Sequence, residues 1–161
     1  METRELVFGY AFHDEIRELF TEYTDMLVRE SPEFKGYLDI QHYDDELLDL
    51  SVKYGLPEGR LYLLRINGAP AACVALRKLD GERCELKRLY VRPAYRNRGI
   101  ARQLVHQLIA DARSIGYRRM LLDTLPFLET AIRMYRQIGF YDIPCYNDSP
   151  MDCTVFLALD L

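Results

Sequence analysis

Residues 96–102, Arg-Asn-Arg-Gly-Ile-Ala-Arg, put one glycine and three arginines where a strand gives way to a helix. Upstream, residues 84–91 are rich in apolar and aromatic side chains, as a strand should be. Downstream, Ile100, Leu104, Val105, Leu108, Ile109, Ala112 and Ile115 recur at helical spacing. A loop that opens a helix turns free N–H groups outward and carries a partial positive charge. Gly99 permits a backbone course and a close approach that a side chain would block. Arg92, Arg96, Arg98 and Arg102 add full charges. The chemistry such a segment offers is the binding of a phosphate or pyrophosphate. A Walker-type loop would need Gly-Lys-Ser/Thr and a dinucleotide fingerprint would need three glycines, and neither is present.

The remaining composition limits what that phosphate belongs to. The 161 residues suit one domain, 1–161, large enough to bury a core unaided. A net charge of −4 argues against a general nucleic-acid binder, because the basic cluster is local. No apolar run approaches the ~20 residues of a membrane span, and the charged start, Met-Glu-Thr-Arg-Glu, does not read as a signal peptide. Cys73, Cys84, Cys145 and Cys153 lack Cys-x-x-Cys spacing and read as buried reduced thiols. His13, His42 and His106 are scattered and give no metal motif. A cytoplasmic protein without metal, nucleic-acid partner or membrane is expected.

The elements that must position the loop follow from periodicity and breakers. Residues 6–12 predict a strand, and Asp14 precedes an amphipathic helix through Ile16, Leu19, Phe20, Tyr23 and Leu27. Residues 31–43 are irregular, and Asp44 or Asp45 can cap a second helix running to about Tyr54. Strands at 61–66 and 71–79 flank Asn67-Gly68, a preferred hairpin pair. Asp80-Gly81 then turns the chain into a strand at 82–91. After the long helix, with Gly116 as its cap, come a strand at 119–124, a short helix at 129–138, and strands at 140–146 and 154–161. Within residues 82–91, Cys84 and Leu86 keep one apolar parity, while Leu89 and Val91 keep the other. Either an extra residue is absorbed between them as a β-bulge, or the strand is buried on both faces.

The motif Arg-x-x-Gly-x-Ala at residues 96–101 resembles motif A of the GNAT superfamily of acyl-CoA-dependent N-acetyltransferases. A second stretch, Ala-x-x-x-Tyr-x-x-x-Gly-Phe at residues 131–140, resembles the family's motif B. The likeness is close from about residue 61 to the end and holds only in layout before it. The resemblance implies an α/β GNAT fold: a central mixed, mostly antiparallel sheet of about six to seven strands flanked by about four helices, ordered β-α-α-β-β-β-α-β-α-β-β. It implies acetyl-CoA as cofactor, held by Leu89, Tyr90 and Val91 main chain to main chain and by Arg96, Asn97, Arg98, Gly99, Ile100, Ala101 and Arg102. It implies a bulge whose freed amide meets the acetyl carbonyl. It also implies Tyr135 as general acid. Two departures stand out: Leu128 occupies the place of a common asparagine seven residues before the tyrosine, and Ala101 replaces the more frequent glycine.

A thioester is already activated, so holding an amine beside it supplies much of the rate. The amine must lose a proton, since an ordinary ammonium titrates near 10.4. Glu85 on the bulged strand and Asp123 at the end of the next are the candidate bases, with catalysis without a single base as the alternative. Proton transfer from a tyrosine of pKa about 10 to a thiolate of about 8.5 runs uphill by ~2 kcal/mol in water. The hydroxyl must therefore be tuned, act in concert or only donate a hydrogen bond. Tyr37, Asp39, Tyr43, Asp44 and Asp45 form an acidic, aromatic stretch that suits a small cationic amine as acceptor. A protein N-terminus or lysine, a non-catalytic acyl-CoA sensor and a plain nucleotide-binding module are the alternatives. A homodimer is left open.

Overall fold

Asn67 and Gly68 both take positive φ, 51° and 82°, the twist that a two-residue turn needs between right-twisted strands. They join β2 (Arg60–Ile66) to β3 (Ala69–Lys78) in antiparallel register. The structure is a computed structural model that describes residues 1–36, 43–147 and 154–161. The other strands are β1 (Arg4–Phe8), β4 (Arg83–Val91), β5 (Arg119–Thr124), β6 (Tyr141–Asp142) and β7 (Val155–Asp160). All belong to one seven-stranded sheet of order β1-β2-β3-β4-β5-β7-β6. Every neighbouring pair is antiparallel except β4 and β5. The mixed, mostly antiparallel sheet expected from the motifs is present.

Helices cover both faces. On one, α1 (His13–Glu30), α2 (Tyr43–Leu48) and α3 (Ser51–Tyr54) cover β2, β3 and part of β4, with Ile16, Phe20, Tyr54, Leu63 and Ala75 at the centre. On the other, α4 (Ile100–Ile115) buries Leu104, Val105 and Leu108 against Leu64, Val74, Leu86 and Met120. Each such leucine contributes roughly 1.5–3 kcal/mol by leaving water. α5 (Glu129–Ile138) packs on this second cluster through Tyr135.

Several expected boundaries move. β1 ends at Phe8, and a 3-10 turn over Gly9–Ala11 replaces its last residues. Any Cβ at Gly9 would lie 2.7 Å from Ile16 Cδ1, so the chain turns where only glycine fits. The expected second helix is two, because the Asp49 carboxylate accepts from the Ser51 N–H at 3.0 Å and from its hydroxyl at 2.6 Å. That local bond competes with the helical ladder. The strand expected at 140–146 shrinks to Tyr141–Asp142. Ile143 N–H still reaches Phe156 O at 3.0 Å, after which Pro144 offers no donor. Cys73 and Cys84 are buried and free as expected, but Cys145 is exposed; Cys153, Tyr37 and Asp39 lie outside the described residues.

The bulge in β4 is present, and the strand is covered on both faces as well. Lys87 pairs with Ala75 and Tyr90 with Cys73, so Arg88 and Leu89 together oppose Val74. Arg88 takes φ 58°. Its guanidinium makes a bidentate bond to Glu46 of α2, 2.9 and 3.0 Å, with both side chains buried. Burial alone would raise the Glu46 pKa, but Arg88 and Lys53 more than offset it and hold it at about 2 against an ordinary 4.5. Because the folded value is the lower one, this stabilisation is present above pH 4.5 and is lost as pH falls through about 2. Glu46→Gln should therefore cost about 3–5 kcal/mol at neutral pH. In urea denaturation the gap from the parent should close as pH drops through that window, and a gap independent of pH would show that the pair does not carry it.

Candidate active site

β4 and β5 pair only at their base, where Arg83, Cys84 and Glu85 meet Arg119, Met120 and Leu121. Above that point the strands part, and among the described residues no strand covers the β5-facing edge of β4 from Leu86 to Val91. A cleft of about 750 Å³ occupies the gap. Its walls come from Leu86–Val91, from Asp123–Leu125 with the start of α5, from the loop before α4, and from Tyr23, Met26 and Leu27 of α1.

The loop before α4 reaches the cleft through a left-handed glycine. Gly99 sits at φ 76°, and a Cβ there would meet nothing within 4 Å, so the space beyond it is open. Asn97 also takes positive φ, 63°. The first bond within α4 runs from Gln103 N–H to Gly99 O at 3.0 Å, which leaves the N–H groups of Ile100, Ala101 and Arg102 without a helical acceptor. These three residues, Asn97, Gly99 and Arg96 all line the cleft. Ala101 stands in the first turn of α4, where ordinary helical torsions suit it.

The arginines divide. Arg96 donates to Val91 O at 2.9 Å and lies over the Tyr90 ring, while Arg102 donates to Gln137 at 2.6 Å. Arg98 does not line the cleft and pairs with Glu2. Arg92 is held by Glu18 and Glu22 of α1 and by Pro70 O. Of the seven residues at 96–102, only Arg98 faces away.

Tyr135 lines the cleft from α5, 5% exposed, with its ring 5.5 Å from that of Phe140. Among the described residues its hydroxyl has no hydrogen-bond partner. Burial raises its pKa well above the ordinary tyrosine value, and Tyr23 and Asp123 add to this. Tyr23, another phenol in the cleft wall, is raised to about 12, again chiefly by burial. The two candidate bases separate. Asp123 lines the cleft and accepts from Asn147 Nδ2 at 2.8 Å. Glu85 is buried behind the lining; Tyr146 donates to its Oε2 at 2.6 Å, and Arg77 stands 3.5 Å from its Oε1.

Leu128 and Thr130 both line the cleft, the former through an apolar side chain where an amide was expected by resemblance. Asp44 and Asp45 of the acidic stretch are exposed, and Tyr43 packs over the Arg88 guanidinium. Tyr23, Lys87 and Arg88 belong to the site but were not singled out from sequence. Lys87 and Glu85 share a parity inside an apolar strand, and that was the available signal.

Comparison with known proteins gives one answer. The family described as Acetyltransferase (GNAT) matches residues 13–140. An uncharacterised N-acetyltransferase of Schizosaccharomyces pombe is 38% identical over 139 residues, 84% of this chain and 85% of the relative. One from Escherichia coli is 31% identical over 134 residues, 79% of this chain and 77% of the relative. A crystal structure of an acetyltransferase from Streptococcus agalactiae superposes with a TM-score of 0.77 at 19% identity, over 98% of each chain. The buried state of Tyr135 has a direct check. Tyr135→Phe should leave the tyrosinate absorbance rise near pH 10 at the parent amplitude, because this phenol stays neutral there. A loss of amplitude would mean a solvated, ordinary hydroxyl.

Proposed function

The chain belongs to the GNAT family of acetyltransferases, and from that premise we propose that it transfers the acetyl group of acetyl-CoA to the primary amine of a small molecule in the cytoplasm, with residues 1–161 acting as one domain. The observation that carries the reading is the open β4 edge in a cleft that the glycine loop, Tyr135 and Asp123 also line. The residues fit the donor. Free N–H groups at Ile100, Ala101 and Arg102, with Arg96 and Arg102 beside them, would take the pyrophosphate. The uncovered backbone of Leu89, Tyr90 and Val91 would pair with the extended arm as an added strand does. Acetyl-CoA, when bound, supplies an acyl group already activated as a thioester.

The chain's own groups do the rest. A backbone donor freed by the bulge at Arg88 and Leu89 would polarise a carbonyl bound in the cleft. Asp123, within the cleft, takes the ammonium proton directly or through a water. Glu85 would act on this site from behind the lining, by holding Tyr146 in place. Tyr135 keeps its proton and donates to sulfur as negative charge grows there. Release of free CoA thiol from acetyl-CoA, followed with a thiol reagent across an amine library, tests the activity itself, and the absence of any amine-dependent release would refute it.

Tyr135→Phe keeps the ring and removes only the hydroxyl. It should lower kcat by roughly 10²-fold or more, with CoA affinity near the parent value; turnover at the parent rate, with chemistry rate-limiting, would leave Tyr135 as a core aromatic only. Gly99→Val projects a side chain into open space and strains a φ of 76°. Calorimetry on the folded variant should show CoA affinity reduced roughly tenfold or more, ~1.4 kcal/mol. Unchanged affinity would remove the loop from the donor site.

A further inference from the structure

Lys87 is 7% exposed, and its side chain lines the cleft. Among the described residues its ammonium donates no hydrogen bond, and the carboxylate it faces, Glu85 Oε1, stands 3.9 Å away. Neither carboxylate nearby is its own. Glu85 Oε1 also faces Arg77 at 3.5 Å, while Glu46 is held by both Arg88 and Lys53. Arg77, Lys87, Arg88 and Lys53 thus share two buried carboxylates. Burial pulls the Lys87 pKa down; Glu85 opposes this, Arg88 adds to it, and Asp123 and Glu46 oppose it. A buried ammonium that lines a cavity, makes no hydrogen bond among the described residues and shares its nearest carboxylate with Arg77 has room for a further anion.

The anion is not the donor's phosphate. Lys87 opposes Ala75, whose cluster includes Ile16 of α1 and Tyr54 of α3, whereas the glycine loop opens α4 on the other face of the sheet. Lys87 therefore belongs to the side from which an acceptor would come. Across the splay, Asp123 of β5 lies close enough to act on both Lys87 and Tyr135. One wall of the cleft offers a cation and the other a carboxylate, with the acyl position between. A molecule carrying an ammonium and a carboxylate a few bonds apart matches that pair.

We propose that Lys87 receives a carboxylate of the acceptor, so that the acceptor is an amino acid or a related amino carboxylate. This rests on the acetyl-transfer reading and narrows its substrate class. It narrows the small cationic amine that Tyr37, Asp39, Tyr43, Asp44 and Asp45 suggested; of these, Asp44 and Asp45 are exposed.

The test compares α-amino acids with their carboxamides and with the corresponding decarboxylated amines, as acceptors for the parent, Lys87→Met and Lys87→Arg. The parent should favour the carboxylate in kcat/KM by roughly 10- to 100-fold, the range for a hydrogen bond to a charged group. That ratio should fall toward one in Lys87→Met and survive largely in Lys87→Arg. Calorimetry of N-acetyl amino acids and their amides on the CoA-saturated enzyme gives a second readout, with the same preference expected. Amines acetylated without regard to the carboxylate, or a ratio kept by Lys87→Met, would overturn the assignment and leave acetyl transfer standing. A carboxylate preference in binding without any transfer would sustain Lys87 and refute the transferase reading. Neither transfer nor preference would overturn both. Should Lys87→Met fail to fold, Lys87→Gln takes its place, with the same fall of the ratio toward one expected and a kept ratio overturning the assignment.

Discussion

Arg88 sits in the left-handed region at φ 58°, a conformation that costs a side-chain-bearing residue roughly 1–2 kcal/mol. The buried bidentate bond to Glu46 is what makes that conformation affordable. Much of the cleft depends on this one exchange. The extra residue moves Leu89 and Val91 onto the face that packs with α4, and leaves Tyr90 on the face of α1, 5.7 Å from the Tyr23 ring. Without it, strict alternation from Leu86 would have put Leu89 and Val91 on the face of α1. The pair also ties α2 to the strand that shapes the cleft. Helix, bulge and open strand edge are therefore one mechanical unit rather than three features.

The bulge was legible because apolar parity is a local signal: Cys84 and Leu86 against Leu89 and Val91 cannot share a face without an added residue. The hairpin was legible at Asn67-Gly68 for the same reason, since turn torsions are set by the two residues themselves. The glycine loop was legible as a backbone shape. What holds these features was not, because Glu46 is 42 positions from Arg88 and nothing local pairs them. The destinations of Arg92 and Arg98 were hidden likewise. Both read as charges for the loop, yet one is held by α1 and the other by Glu2. The break between α2 and α3 rests on an Asp49 side-chain bond that competes with helix by a small margin. Periodicity does not resolve it.

The proton inventory of the cleft is set by burial more than by any single neighbour. Tyr23 and Tyr135 face one cavity, both with raised pKa, and Tyr23 disfavours ionisation of Tyr135. A raised acid is protonated at neutral pH but gives its proton less readily, so complete transfer to a thiolate is steeper than the ~2 kcal/mol of the free groups. A hydrogen bond that shortens as charge accumulates asks for no such transfer. The same low-dielectric surroundings that weaken the acid strengthen that bond.

At the loop, the burden of recognition falls on the backbone. With Arg98 turned outward and Arg92 neutralised by two carboxylates, the cations left at the cleft mouth are Arg96 and Arg102, and each already donates elsewhere, to Val91 O and to Gln137. Neither is a free clamp. The unshared donors are the N–H groups of the first turn of α4, which the left-handed turn at Gly99 aims into open space. Directed main-chain bonds of this kind fix where a pyrophosphate sits, while the arginines nearby raise the local potential that draws it in. Substituting an arginine therefore alters attraction, whereas altering the turn at Gly99 alters the seat itself. The glycine, not the cations, is the residue on which the loop's geometry turns.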